Sequence, residues 1–131
     1  MMQRRQILAA ATLALLASGA QAQGNGRPIR LVVPFAAGTS TDIVGRILAE
    51  ALGRQLGQTV IVENKPGAGG TIGSEMVARA GADTNTLLLG TVGTHAINPT
   101  LYKKLPYQPL RDFVPLGFVG ATPTLDRKSV V

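Results

Sequence analysis

The chain has no cysteine, and this absence excludes two classes of site. Without cysteine there is no disulfide framework, and no thiolate can hold zinc or an iron–sulfur cluster. The only histidine, His95, has no pair of carboxylates near it in the sequence. We therefore expect no metal site and no cofactor.

Aromatic residues and clusters of basic residues are also scarce. The chain has three phenylalanines, two tyrosines and no tryptophan, and no basic run is longer than Lys103-Lys104. A nucleic-acid-binding surface needs clustered Lys and Arg together with stacking rings or a recognisable reading motif. A nucleic acid is therefore not an expected partner. Outside the first 22 residues, 11 Lys and Arg stand against 7 Asp and Glu, and this net charge of about +4 suits a small anionic ligand, although overall charge indicates this only weakly.

Catalytic motifs are missing as well. The sequence contains neither a GxSxG elbow nor a GxxxxGK loop, and Ile72 stands where a dinucleotide fingerprint starting at Gly67 needs its third glycine. A triad of Ser40, His95 and Asp112 can be written, but no local motif supports it. We therefore predict no catalytic residue, and we expect that the protein is not an enzyme.

The first 22 residues have the three-part layout of a secretory signal. Arg4 and Arg5 form a basic start, residues 7–17 are apolar, and Ala20-Gln21-Ala22 supplies a small-residue cleavage site. The apolar run is about half of the roughly 20 residues that a membrane-spanning helix needs. We predict a cleavable signal peptide at 1–22 and a spacer at 23–27. Export by either the general or the twin-arginine route is compatible with this pattern.

After the spacer, patterns typical of strands and helices alternate. β-Branched apolar runs predict strands at 29–35, 59–63 and 86–89, with a fourth at 113–119. Helical spacing predicts one helix that begins at a cap on Ser40 or Thr41 and ends at Gly57, and a second at 71–80. A further helical turn is predicted at 96–102. Strands that alternate with helices imply an α/β fold with a mostly parallel sheet.

Helical periodicity also predicts which side chains face the sheet. For the first helix the predicted apolar face is Ile43, Val44, Ile47, Leu48, Ala51, Leu52 and Leu56, and for the second it is Ile72, Met76 and Val77. Arg46 and Lys65 are predicted to be solvated surface charges.

Three loops, at 34–42, 64–71 and 90–95, mix glycine with hydroxyl residues. The carboxyl ends of parallel strands meet at one edge of the sheet, where ligands usually bind. Glycine lets backbone N–H groups approach a ligand, and the first two loops are predicted to open helices whose first N–H groups are unpaired. The loops therefore predict a site for a small carboxylate without an arginine. The alternative is that they are only turns and caps, and that Asp42 is only a cap rather than a contact to a ligand amino or hydroxyl group.

The segments that carry these loops are recognisable together. PIRLVVPFAAGTSTDIVGRILAE, VIVENKPGAGGTIGSE and LLLGTVGTHAINPTLYKKLPYQPLRDFVP closely resemble the Bug-type substrate-binding receptors of tripartite tricarboxylate transporters. The resemblance extends over residues 28–119. It implies a periplasmic-binding-protein-like (type II) fold with two α/β domains that close over the ligand.

The resemblance also implies a function and a set of contacts. Such a receptor is periplasmic, acts as a monomer, captures a small organic acid and delivers it to the membrane permease subunits of the transporter. Family contacts come from the loops after the first and third strands, here 35–42 and 90–95. The ligand-binding residues carried over are Ala37, Gly38, Ser40, Thr41, Asp42, Thr91 and Thr94.

Two departures from the family pattern affect these expectations. The family commonly has two glycines where this chain has Gly38-Thr39, and threonine disfavours a positive φ, so the loop is expected to differ in shape or to gain a hydroxyl donor. Residues 28–125 are expected to be an incomplete N-terminal domain. The last six residues, 126–131, can be encoded by GATCGGAAGAGCGTCGTG, which resembles a sequencing adapter, and are expected to be a non-native tail.

Two other functions stay open at this point. A secreted α/β hydrolase would need catalytic groups beyond residue 131. A receptor of the same kind could also serve as the sensing input of a two-component system rather than as part of a transporter.

Overall fold

The computed structural model describes residues 26–81, 83 and 85–121. The predicted signal peptide, most of the spacer and the predicted tail lie outside these residues. These residues form three strands and four helices, in the order β1 (Ile29–Val33), α1 (Ser40–Leu56), β2 (Val60–Asn64), α2 (Thr71–Ala80), β3 (Thr86–Leu88), α3 (Asn98–Leu101) and α4 (Pro109–Asp112). A 3₁₀ turn at Ala68–Gly70 precedes α2, and a π-helical segment at Gly93–Ile97 precedes α3. In the described part, no helix has the length and hydrophobicity needed to cross a membrane.

The three strands form a parallel sheet in the order β2-β1-β3. The register pairs Ile29 with Val60 on one side of β1 and Arg30 with Thr86 on the other. The first three predicted strands lie within two residues of their observed positions. The α/β fold with a parallel sheet flanked by helices is therefore confirmed.

β1 is the central strand, and its apolar side chains are buried on both faces of the sheet. Val32 and Val33 are fully buried, and consecutive side chains of a strand point to opposite faces. Arg30 is the exception, since its guanidinium extends to Glu63 on β2, where Nη2 and Oε2 are 2.6 Å apart. A central strand that is buried on both faces explains the nearly continuous apolar run in the sequence.

α1 begins one residue earlier than a cap on Ser40 would give. Its N-cap is Thr39, whose hydroxyl accepts the Asp42 N–H at 3.4 Å. The prediction of a cap at Ser40 or Thr41 was therefore wrong by one or two positions. Gly57 ends the helix in the left-handed conformation (φ +61°), as predicted, and its N–H donates to the Gly53 carbonyl.

The predicted apolar face of α1 was only partly correct: Leu48 packs against the core, but other members of the face are exposed. Ile43 and Ile47 are 54% and 64% exposed, whereas Gly45 and Ala49 are buried against the sheet. A Cβ atom on Gly45 would lie 2.8 Å from Val33 Cγ2, so the helix approaches the sheet more closely than a larger residue would allow. The small residues therefore make the closest contacts of α1 with the sheet, beside the partly buried Leu48.

α2 packs on the other face of the sheet, and a glycine again allows the close approach. A Cβ on Gly73 would lie 3.0 Å from the Cα of Pro34, the residue after Val33 in the extended chain. Thr71, Gly73 and Ser74 are the buried residues of α2. Ile72 is 52% exposed, so its predicted inward position was wrong, while Met76 and Val77 are partly buried.

The predicted fourth strand at 113–119 is not present. Within residues 85–121 the only strand is β3, and Val114, Leu116 and Phe118 are all exposed. β-Propensity reflects packing on a sheet surface, and this segment makes no backbone ladder with the short β3. Pro115 lies within the apolar run and supplies no backbone N–H for a ladder. Pro109 begins α4, a helix that periodicity did not indicate.

The position of the α1 cap gives a direct test. Thr39→Ala should destabilise the chain by about 1 kcal/mol, because the hydroxyl that accepts the Asp42 N–H is lost. Ser40→Ala, one residue later, should change stability by less than about 0.5 kcal/mol, since Ala is favourable inside a helix. Urea denaturation of both variants measures the difference. Equal losses in the two variants would show that Thr39 is not the cap.

Candidate functional site

The loop after β1, residues 34–41, ends in the first turn of α1. Ala36, Ala37 and Gly38 are exposed, and Gly38 has a φ of +84°. The N–H groups of Ser40 and Thr41 have no partner among the described residues, as is usual for the first N–H groups of a helix. This loop therefore presents backbone donors at the positive end of a helix of 17 residues.

The buried carboxylate of Asp42 holds this loop in place. Its Oδ2 accepts the Gly38 N–H at 2.8 Å and Arg46 Nε at 3.0 Å. Its Oδ1 accepts Asn64 Nδ2 at 2.9 Å, and the same amide nitrogen donates to the Phe35 carbonyl at 3.1 Å. Asp42 is only 2% exposed, and its carboxylate holds the loop in place through these hydrogen bonds.

The charge on Asp42 is strongly stabilised. The hydrogen bond from Arg46, and then those from the Gly38 N–H and the Asn64 amide, lower the pKa of Asp42 to about 2. Arg46 is therefore not the purely solvated charge that was predicted, although its side chain is 56% exposed. Lys65 is likewise paired, with its Nζ 2.8 Å from Glu63 Oε1.

The loop after β2 contains four consecutive residues with positive φ. The angles are +132° for Gly67, +47° for Ala68, +63° for Gly69 and +86° for Gly70. Among the described residues, Ala68 is the only non-glycine residue with a positive φ. Such a conformation is uncommon for a residue with a side chain and is found most often at functional sites.

In the loop after β3, two threonines cap each other. The Thr91 N–H donates to Thr94 Oγ1 at 2.9 Å, and the Thr94 N–H donates to Thr91 Oγ1 at 3.4 Å. The N–H groups of Val92 and Gly93, which lie between them, have no partner among the described residues. Val92 already has helical backbone angles, so these two N–H groups open the helical segment in the way that Ser40 and Thr41 open α1.

The three loops meet at Gly70. A Cβ on this buried glycine would lie 2.6 Å from Thr94 Cγ2 and 3.4 Å from both Phe35 Cζ and Pro34 Cβ. Asn98 adds a polar link, because its Nδ2 donates to the Gly69 carbonyl at 3.0 Å. The predicted convergence of the loops at one edge of the sheet is therefore present in the structure.

The residues proposed for ligand binding divide into two groups. Ala37, Gly38 and Ser40 are exposed, and Thr41 and Thr91 are partly buried. Asp42 and Thr94 are buried, and their polar side-chain atoms bond to neighbouring residues. A direct contact with a ligand stays a prediction for all seven, and the geometry favours the backbone of the first group over the side chains of the second.

Sequence reasoning missed the side chains that connect the loops. Asn64, Asn98 and Tyr107 donate hydrogen bonds to carbonyl groups of Phe35, Gly69 and Thr94, respectively. Each bond joins residues between 13 and 29 positions apart in the chain. No local spacing signals such a bond, although an Asn at the end of a strand and a buried Tyr near a loop are plausible donors.

The triad written from Ser40, His95 and Asp112 is not assembled. The His95 ring bonds through Nδ1 to Thr94 Oγ1 at 2.8 Å, and Asp112 accepts the Gln108 N–H at 2.7 Å. Partial burial lowers the pKa of His95. The described residues also include no group of three or more His, Asp or Glu side chains that could hold a metal ion.

The role of Asp42 can be tested by comparison with a second ion pair on the same helix. Asp42→Asn should lower the urea midpoint clearly, because the loop loses a charged acceptor for three donors. Glu50→Gln removes an exposed pair with Arg54 at the same spacing, and should cost about 0.3–0.5 kcal/mol.

The two variants should also differ in their response to acid. Because the pKa of Asp42 is lowered to about 2 in the folded state, the stability that its charge provides is complete above about pH 4. That stability is lost as the pH falls towards 2. The difference in stability between the wild type and Asp42→Asn should therefore shrink between pH 4 and 2, whereas an unchanged difference would contradict the assignment.

Comparison with known proteins agrees with this geometry. The profile of the tripartite tricarboxylate transporter family receptor matches residues 44–125. BugT of Bordetella pertussis is 45% identical over 98 residues, which is 74% of this chain and 30% of BugT.

Solved structures show the same similarity. The periplasmic binding protein BugD is 53% identical, with a TM-score of 0.66 over 70% of this chain and 30% of BugD. MatC from Rhodopseudomonas palustris with bound malate is 42% identical, with a TM-score of 0.67 over 70% of this chain and 31% of MatC. The chain thus spans about a third of the length of these relatives, and it belongs to the receptor family of tripartite tricarboxylate transporters.

Proposed function

We propose that the receptor to which this chain belongs captures a small organic anion in the periplasm and passes it to the permease of a tripartite transporter. The observation that carries the proposal is the pair of helix starts at one edge of the sheet. Ser40 and Thr41 on one side, and Val92 and Gly93 on the other, leave four backbone N–H groups without protein partners in the described residues. These donors suit a carboxylate.

Energies of ordinary size are enough for such a site. A hydrogen bond to a charged group contributes about 1.5–3 kcal/mol, so a few donors can hold one carboxylate group. Two cations of this part of the chain are already paired, since Arg46 of α1 bonds to Asp42 and Lys65 of the second loop to Glu63. We therefore assign recognition of the carboxylate to backbone N–H groups and the positive helix ends rather than to an arginine.

Two further points support a carboxylate ligand. MatC, which shares the fold and 42% of the aligned residues, binds malate. The first and third loops are also those that the family resemblance indicated. We propose that this chain contributes one side of the binding cleft, and that the part of the longer relatives that it does not span contributes the other side, which would set ligand length and specificity.

Binding by the full-length receptor tests the proposal directly. A panel of malate, succinate, citrate and aromatic acids should include at least one that raises the stability of the protein, by about 2.7 kcal/mol at a concentration one hundred times Kd. The uncharged amide of the same acid serves as the control and should give no shift. A panel in which no acid shifts the melting temperature would refute the proposed function.

The role of the first loop in ligand binding can be tested by removing one backbone N–H group, that of Ser40. Ser40 is the first residue of α1, where proline is well tolerated, and Thr39 before it is extended (φ −75°, ψ 162°), as a residue before proline prefers. Ser40→Pro removes the N–H and should raise Kd for the acid that binds about 10- to 100-fold with little change in stability. Ser40→Ala, which keeps the N–H, should bind within about threefold of the wild type. Wild-type affinity in Ser40→Pro would exclude this N–H from the site.

A further inference from the structure

In the helical segment after β3, the Thr94 carbonyl receives no hydrogen bond from the next turn of the helix. In the π-helical segment the Asn98 N–H donates to the Gly93 carbonyl, five residues back. The same spacing would pair the next carbonyl, that of Thr94, with residue 99. Residue 99 is a proline, which has no N–H. Because Thr94 is fully buried, water cannot replace the missing donor.

Tyr107 supplies the donor from outside the helix. Its hydroxyl donates to the Thr94 carbonyl at 2.6 Å, and the tyrosine is only 2% exposed. Phe113 packs on both neighbouring rings: its centroid is 5.8 Å from that of Tyr107, edge to face, and 5.1 Å from that of His95. The residues that follow α3 thus return to fix the loop after β3.

The bonded residue is central to the third loop. Thr94 makes the reciprocal cap with Thr91, and the unpaired N–H groups of Val92 and Gly93 lie between these two threonines. Thr94 also lies close to the second loop, because a Cβ atom on Gly70 would be only 2.6 Å from Thr94 Cγ2. The position of Thr94 therefore determines where the two N–H groups point relative to the other loops.

From these contacts we propose that Tyr107 is a positioning residue for ligand binding, whose hydroxyl bond to the Thr94 carbonyl holds the third-loop donors in place before the ligand arrives. This inference rests on the proposed function, since it assigns those donors to the bound anion. A loop that is already ordered does not have to be immobilised on binding, so the affinity is higher. Removal of the hydroxyl should therefore weaken binding even where the protein stays folded.

The test uses Tyr107→Phe in the full-length receptor, with malate and the other acids of the panel as probes. Calorimetry well below the melting temperature should show a Kd about three- to tenfold higher than that of the wild type, the range expected for loss of one hydrogen bond. Hydrogen exchange of the ligand-free protein should be faster at residues 92–95. Wild-type values of Kd or of exchange in Tyr107→Phe would overturn the proposal.

Two control variants separate positioning from general destabilisation. Glu50→Gln removes an exposed ion pair of α1 away from the three loops, and should leave Kd and exchange unchanged. Val60→Ala weakens the core where β2 meets the end of α1, next to Gly53, and should lower the melting temperature without raising Kd. If Val60→Ala raised Kd as much as Tyr107→Phe, the effect of Tyr107 would be one of stability alone.

Failure of the two proposals can be told apart in the same experiment. If the wild-type receptor bound no acid of the panel, the proposed function would fail. If the wild type bound and Tyr107→Phe bound equally well, only the positioning role would fail.

Discussion

The arrangement of the site depends on the absence of a side chain at Gly70. This residue has a φ of +86° and no room for a Cβ, which would lie 2.6 Å from Thr94 Cγ2 and 3.4 Å from atoms of Pro34 and Phe35. The backbone of the second loop can therefore lie directly between the first and third loops. Because the three loops touch at this point, the starts of two helical segments lie on the same edge of the sheet. A side chain here would push the loops apart and would change the position of the two helix starts relative to each other.

Polar side chains and backbone groups have different roles around this contact. Buried polar side chains are usually paired, and around this contact the carboxylate of Asp42, the amides of the partly buried Asn64 and of Asn98 and the hydroxyl of Thr94 bond within the protein. The first N–H groups of a helix cannot be paired by the helix itself and stay available. Side chains thus fix the loops, and the first backbone N–H groups are left without protein partners in the described residues. If they bind an anion as proposed, they would recognise its carboxylate group without specifying the rest of the molecule, because backbone donors are the same for every residue.

The parts of the fold that could be predicted from the sequence are those that depend on local patterns. The β-branched runs located β1, β2 and β3, and glycine located the end of α1. The rotation of α1 could not be predicted, because its large apolar residues are spread widely and the contact is decided by how closely Gly45 can approach Val33. The apolar run at 113–119 had the composition of a strand, but composition does not supply a partner strand. The loops of the site were found, whereas the bonds that hold them join residues far apart in the chain, and only the folded structure brings these together.

The threonine that departs from the family pattern shows how the first loop keeps its shape. Threonine was expected to alter the loop if a positive φ was required at position 39, but Thr39 has a φ of −75° and the left-handed angle falls on Gly38 alone. The Thr39 hydroxyl donates to the Ala36 carbonyl at 2.8 Å and accepts the Asp42 N–H, so it serves the fold and is not an additional donor for the ligand. The Gly38 N–H is also engaged, by the Asp42 carboxylate. The first-loop donors proposed for an anion are therefore the N–H groups of Ser40 and Thr41, which lie in the chain between Gly38 and Asp42 and are held by the bond between those two residues.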